Sequence, residues 1–85
     1  MVTMKKLIES KGDKKLGNHK VEKSNGISSY IYHWTVICGA NDKEKIFYTN
    51  NGGWGTRSTT CAINNYVWEL TQRGYKQVSM TEFCN

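Results

Sequence analysis

Three cysteines and two histidines are the residues of this chain best suited to chemistry: Cys38, Cys61, Cys84, His19 and His33. The count of thiols is odd, and no Cys-x-x-Cys occurs. A disulfide framework calls for an even and denser set, so three reduced thiols are expected, two of them buried. Four zinc ligands at short spacing cannot be drawn from these five residues. No metal and no other cofactor are expected. A catalytic thiol needs a base within hydrogen-bond reach. His33 with Cys38 or Cys61 is the one pairing to consider. On an extended strand, however, His33 and Cys38 have opposite parity and point to opposite faces. The seven carboxylates are scattered, so no enzymatic activity is expected.

Binding chemistry is better represented. Gly52, Gly53 and Gly55 surround Trp54 and lead into Thr56, Arg57, Ser58 and Thr59. Free N–H groups at a helix start attract anions, and these residues would capture a phosphate or nucleotide. The spacing matches neither a P-loop nor a dinucleotide fingerprint. The competing reading is a tight strand-to-helix turn with Trp54 as a lid on the core. Trp68 lies off the apolar stripe of the helix that follows. With Trp54 and Arg57 it would form a protein-contact surface, since Trp and Arg dominate binding hot spots. A third set is Lys5, Lys6, Lys14, Lys15 and Lys20 with Tyr30, Tyr32 and Trp34 behind them. Lysines beside sheet aromatics suit single-stranded nucleic acid, where bases stack and phosphates pair with lysine. No RNP-type motif is present. Glu9, Asp13 and Glu22 interrupt the lysines, as on an ordinary solvated face.

The elements that must position these residues belong to one small domain, because 85 residues leave room for no more. The net charge is +5. Residues 1–23 hold seven lysines and three acids and read as a basic, partly flexible segment; the remainder is nearly neutral. No apolar run is long enough for a membrane span, and the N-terminus lacks a signal-peptide core. A cytoplasmic protein without a membrane partner is expected.

Residues 4–10 can form a short helix, and residues 11–17 read as a loop. A short strand at residues 19–23 ends in a turn at Asn25-Gly26. Alternation of Tyr30, Tyr32, Trp34, Val36 and Cys38 predicts one long strand with that face in the core. Residues 39–42 read as a turn, and residues 45–49 as the antiparallel partner strand. Ile63, Tyr66, Val67 and Leu70 mark a helix over about residues 59–73, capped by Gly74. Residues 75–80 form a weak last strand, with Phe83 tucked under the sheet. The expected fold class is α+β: an antiparallel sheet of three to four strands packed on one helix, with a possible short N-terminal helix.

Ser29-Tyr30, Tyr48 with Asn50, Trp54, Ser58-Thr59-Thr60 and Asn64 follow one another in an order that resembles small uncharacterised tailed-bacteriophage proteins. The resemblance covers residues 29–65. It implies a phage origin and a small α+β fold, and it assigns no activity and no site residue. With it, the leading expectation is a non-enzymatic protein that binds and modulates or inhibits a host protein, such as a defence or regulatory factor. Nucleic-acid binding, nucleotide capture and homo-oligomer formation are the alternatives.

Overall fold

In a computed structural model, which describes residues 2–50 and 57–84, five successive strands form an antiparallel meander. A helix, α1 (Val2–Glu9), precedes β1 (Lys14–Leu16), β2 (His19–Ser24), β3 (Ile27–Tyr32), β4 (Thr35–Asn41) and β5 (Ile46–Thr49). The helix α2 (Arg57–Gln72) then returns the chain to β6 (Lys76–Gln77), which pairs with β5 in parallel, and α3 (Met80–Cys84) follows. Strand order equals chain order. The α+β class is as expected. The sheet, however, has six strands rather than three or four, and it is mixed rather than purely antiparallel.

The turns explain the meander. Asn25 and Gly26 both take positive φ between Ser24 and Ile27, the signature of a type I′ hairpin. Gly17 supplies positive φ at the first position of the β1–β2 turn. His33 and Trp34 join β3 to β4, again with both residues at positive φ, here without glycine. The expected long strand over residues 29–38 is therefore two strands and a turn. A two-residue turn shifts the in–out phase by one position. The β-bulge that places Ile37 as an extra residue opposite Tyr30/Ile31 shifts it back. The two shifts cancel, so alternation in the sequence runs unbroken from Tyr30 to Cys38 while Trp34 leaves the core altogether. Both Ile37 and Cys38 are buried as a result.

Three other expectations fail. Gly39, Ala40 and Asn41 lie within β4 rather than in a turn; the glycine makes room for the ring of Tyr48, which occupies the space where a Cβ on residue 39 would sit. The four-residue turn follows them, with the Asn41 side chain accepting from the amides of Lys43 and Glu44. Residues 14–16, expected in a loop, form edge strand β1. The last strand shrinks to two residues before α3.

The core lies between the sheet and the helices α1 and α2. Val21, Tyr30, Cys38, Ala40 and Phe47 come from the sheet, Met4, Leu7 and Ile8 from α1, and Ala62, Tyr66 and Leu70 from α2. The lysine-rich segment is thus part of the packed body. Lys23 donates to the carbonyls of Ile8 and Ser10, closing the C-terminal end of α1. Arg73 joins Glu9 of α1 at 2.9 Å and Glu69 of α2 at 3.6 Å. At the end of α2, Gly74 takes the left-handed cap and the Tyr75 amide donates to the Leu70 carbonyl. The Tyr75 hydroxyl then donates to Asp42 at 2.6 Å, where Ser28 also donates at 2.8 Å.

Tyr66 is fully buried, yet its hydroxyl has no hydrogen-bond partner among the described residues. A buried hydroxyl without a partner costs about 1–3 kcal/mol. Tyr66→Phe, which keeps the ring and deletes that oxygen, is therefore expected to raise the melting temperature. Thermal unfolding followed by circular dichroism checks this.

Candidate nucleic-acid interface

Helices α1 and α2 cover one face of the sheet. The register assigns the residues of the other face, because directly paired residues share a face. One row crosses four strands as Lys15, Lys20, Ile31 and Val36. A second row runs Glu22, Ser29, Gly39 and Tyr48. Ile31, Val36 and Tyr48 are half-buried, as befits an apolar strip open on one side. Among the described elements only α3 packs against this face, through Phe83 on Tyr48.

Trp34 stands at one end of the face. It is 93% exposed, the largest exposure of any bulky apolar side chain described. The turn that carries it consists of two left-handed residues with Cβ atoms, a sparsely populated backbone conformation held by the surrounding structure. The amide of His33 donates to the Asn18 carbonyl, which ties this turn to the neighbouring β1–β2 turn. Between the two turns lies a pocket of about 120 Å³, walled by Lys15, Gly17, Lys20, Ile31, His33 and Trp34 among others. The ammonium of Lys15 sits 5.9 Å from the Trp34 ring centroid.

The charge near this end is mostly basic. Residues 14–21 carry three lysines and no carboxylate, and residues 27–41 carry no carboxylate either. Glu22, in the second row, is paired with Lys20 at 3.0 Å. On the helix-facing side of the same end, His19 stacks on Tyr32 with ring centroids 4.6 Å apart. Burial holds the His19 imidazole below its ordinary pKa, with the neighbouring His33 adding to the effect.

The structure sorts the candidate residues of the sequence clearly. Lys14 and Lys15 are exposed on β1, Lys20 is half-buried on β2, and Lys5 and Lys6 lie exposed on α1. Tyr30 is fully buried against Tyr66 and cannot meet a base, so it leaves the aromatic set; Trp34, expected in the core, becomes its most exposed member. Gly52, Gly53, Trp54, Gly55 and Thr56 lie outside the described residues. Of the other anion candidates, Arg57 and Ser58 are exposed and line an open groove with Met4, His19 and Cys61, whereas Thr59 is buried. Arg57 and Trp68 do share one exposed stripe of α2, being eleven residues or about 16 Å apart along the axis. Trp68 is 59% exposed.

Only Cys38 is buried, not two of the three thiols, and burial pushes its thiol far above the ordinary value. No group of three metal-ligating side chains occurs among the described residues, and no described helix is long and apolar enough to cross a membrane. Sequence reasoning missed Ile31, Val36 and Tyr48 as a platform. No signal in the sequence reveals them, because the turn at His33-Trp34 and the bulge at Ile37 together leave the alternation unbroken. No family model matches the chain, and no curated protein or solved structure matches it.

Proposed function

We propose that this chain is a binding protein that takes single-stranded nucleic acid on the face of its sheet opposite α1 and α2, with Trp34 as anchor. The observation that carries this reading is the exposed Trp34 ring held on a fixed turn, with the Lys15 ammonium over it and the Lys20–Glu22 pair beside it. A base has an apolar face and a charged backbone beside it. Stacking on Trp34 and ion pairing with Lys15 and Lys20 match both halves. A duplex hides its base faces and cannot use the ring.

Fluorescence anisotropy with labelled single strands of about 4–16 nucleotides tests the proposal. Each phosphate neutralised should contribute about −0.7 to the slope of log K against log salt. Two engaged lysines therefore predict a slope of about −1.4, which becomes shallower in Lys15→Ala. No binding at low salt, or equal binding to duplex, would remove the reading.

A second reading has its own observation. The stripe of α2 that carries Arg57 and Trp68 has no other exposed charge, which suits a protein partner better than a phosphate backbone. A host protein would dock there. Trp68→Ala is accordingly the control in the anisotropy experiment and leaves oligonucleotide affinity unchanged.

A further inference from the structure

Tyr48 lies on the same sheet face as Ile31 and Val36, at the end away from Trp34. Its partner across the strand pair is Gly39, and its ring covers that glycine closely enough that a Cβ there would clash with it. Glycine under an aromatic ring lets the ring lie low on the sheet, as a stacking platform requires. The exposed side of Tyr48 is met by Phe83, with ring centroids 4.7 Å apart and planes tilted by 59°.

Phe83 arrives on an element with little else to hold it. α3 has five residues and no buried side chain. It is held locally, by Ser79 accepting from the Glu82 amide through its hydroxyl and from the Phe83 amide through its carbonyl. Met80 is exposed, and Glu82 brings a carboxylate to the helix that covers this part of the face. Removing α3 from Tyr48 thus opens no core and takes a negative charge away from where a phosphate chain would run.

We infer that Tyr48 is a second stacking position for the same ligand, and that Phe83 is its intramolecular occupant, displaced when a strand long enough to reach it binds. This rests on the nucleic-acid reading of the face. Trp34 and Gly39 are five residues apart along β4 and its turn, about 16 Å at roughly 3.3 Å per residue. At the duplex spacing of about 3.4 Å per nucleotide, a strand of about six nucleotides is needed to span both rings. A shorter ligand reaches Trp34 alone and leaves Phe83 in place.

The test compares oligonucleotides of about three and about ten nucleotides on the full chain, with thermal unfolding recorded for each variant. Phe83→Ala is expected to tighten the longer strand by about fivefold or more and to leave the shorter one unchanged. Tyr48→Leu in the Phe83→Ala background should abolish that gain. Phe83→Leu, which keeps apolar cover, gives the same direction if the alanine variant melts early. Equal effects on both lengths, or no tightening of the longer strand, overturn the inference. If binding depends on Trp34 but ignores residue 83, the functional reading stands and this inference falls. If wild type binds neither strand, both fall together.

Discussion

Leu7→Ala is expected to destabilise the domain by about 2–5 kcal/mol, the usual range for truncating a fully buried leucine. Leu7 has no exposed surface and sits with Met4 and Ile8 on the inner side of α1. An eight-residue helix is marginal by itself and holds its shape through tertiary packing. Loss of this side chain therefore loosens α1 as a unit. The ion pair between Arg73 and Glu9 loses its alignment, and so do the bonds from Lys23 to the Ile8 and Ser10 carbonyls. Domains of 60–100 residues shift by about 4–8 °C per kcal/mol, so the midpoint should fall by at least 8 °C. Chemical denaturation followed by tryptophan fluorescence and circular dichroism measures it. A loss below 1 kcal/mol would mean that α1 is not docked as described.

Trp34→Ala should have the opposite profile, with a large effect on binding and a small one on stability. The ring is almost wholly exposed, so its removal costs little packing. Stacking of one base on an aromatic ring is worth about 1–3 kcal/mol, and the variant should bind single strands about 5- to 150-fold more weakly. Its salt slope should remain that of wild type, since the lysines are untouched. That pair of results separates loss of stacking from loss of charge. Trp34→Tyr should retain most of the affinity, because the turn and the aromatic face persist. If Trp34→Ala binds as tightly as wild type, the anchor has been placed on the wrong ring.

How far the sequence reveals the fold depends on whether a signal is local. Asn25-Gly26 and Gly74 declare their backbone conformations directly, and the structure places both at positive φ. The 3.6-residue spacing of Ile63, Tyr66, Val67 and Leu70 identifies α2, although the helix turns Ala62 and Thr59 inward along with Tyr66 and Leu70. The His33-Trp34 turn is silent, because neither residue is a habitual left-handed turn former. The bulge at Ile37 then restores the alternation that would have exposed the error. Gly39 misleads in a different way: it serves the close approach of a distant ring, and a glycine reads as a turn unless that ring is known.

The site was legible in its parts rather than in its assembly. Lys14, Lys15, Lys20, Tyr32 and Trp34 can be named from composition. Which sheet face each takes depends on the register and on the phase of β3 and β4, set by the turn and the bulge: Lys15 and Lys20 lie on the face away from α1 and α2, Lys14 and Tyr32 on the other. Ile31 and Val36 look like ordinary strand residues until the register puts them in one row with two lysines.

The order of the strands also sets the order in which the molecule can assemble. Each of the first four pairings closes a short loop, with neighbours in sequence becoming neighbours in the sheet. Such contacts carry a small entropic penalty and form early in a folding reaction. The parallel pairing of Phe47 with Gln77 closes a loop some thirty residues long and has to wait for α2 to dock. The meander that carries Trp34 and the lysines is therefore the early part of the fold. The β6–α3 tail is its last addition and the first part released when the native state opens locally.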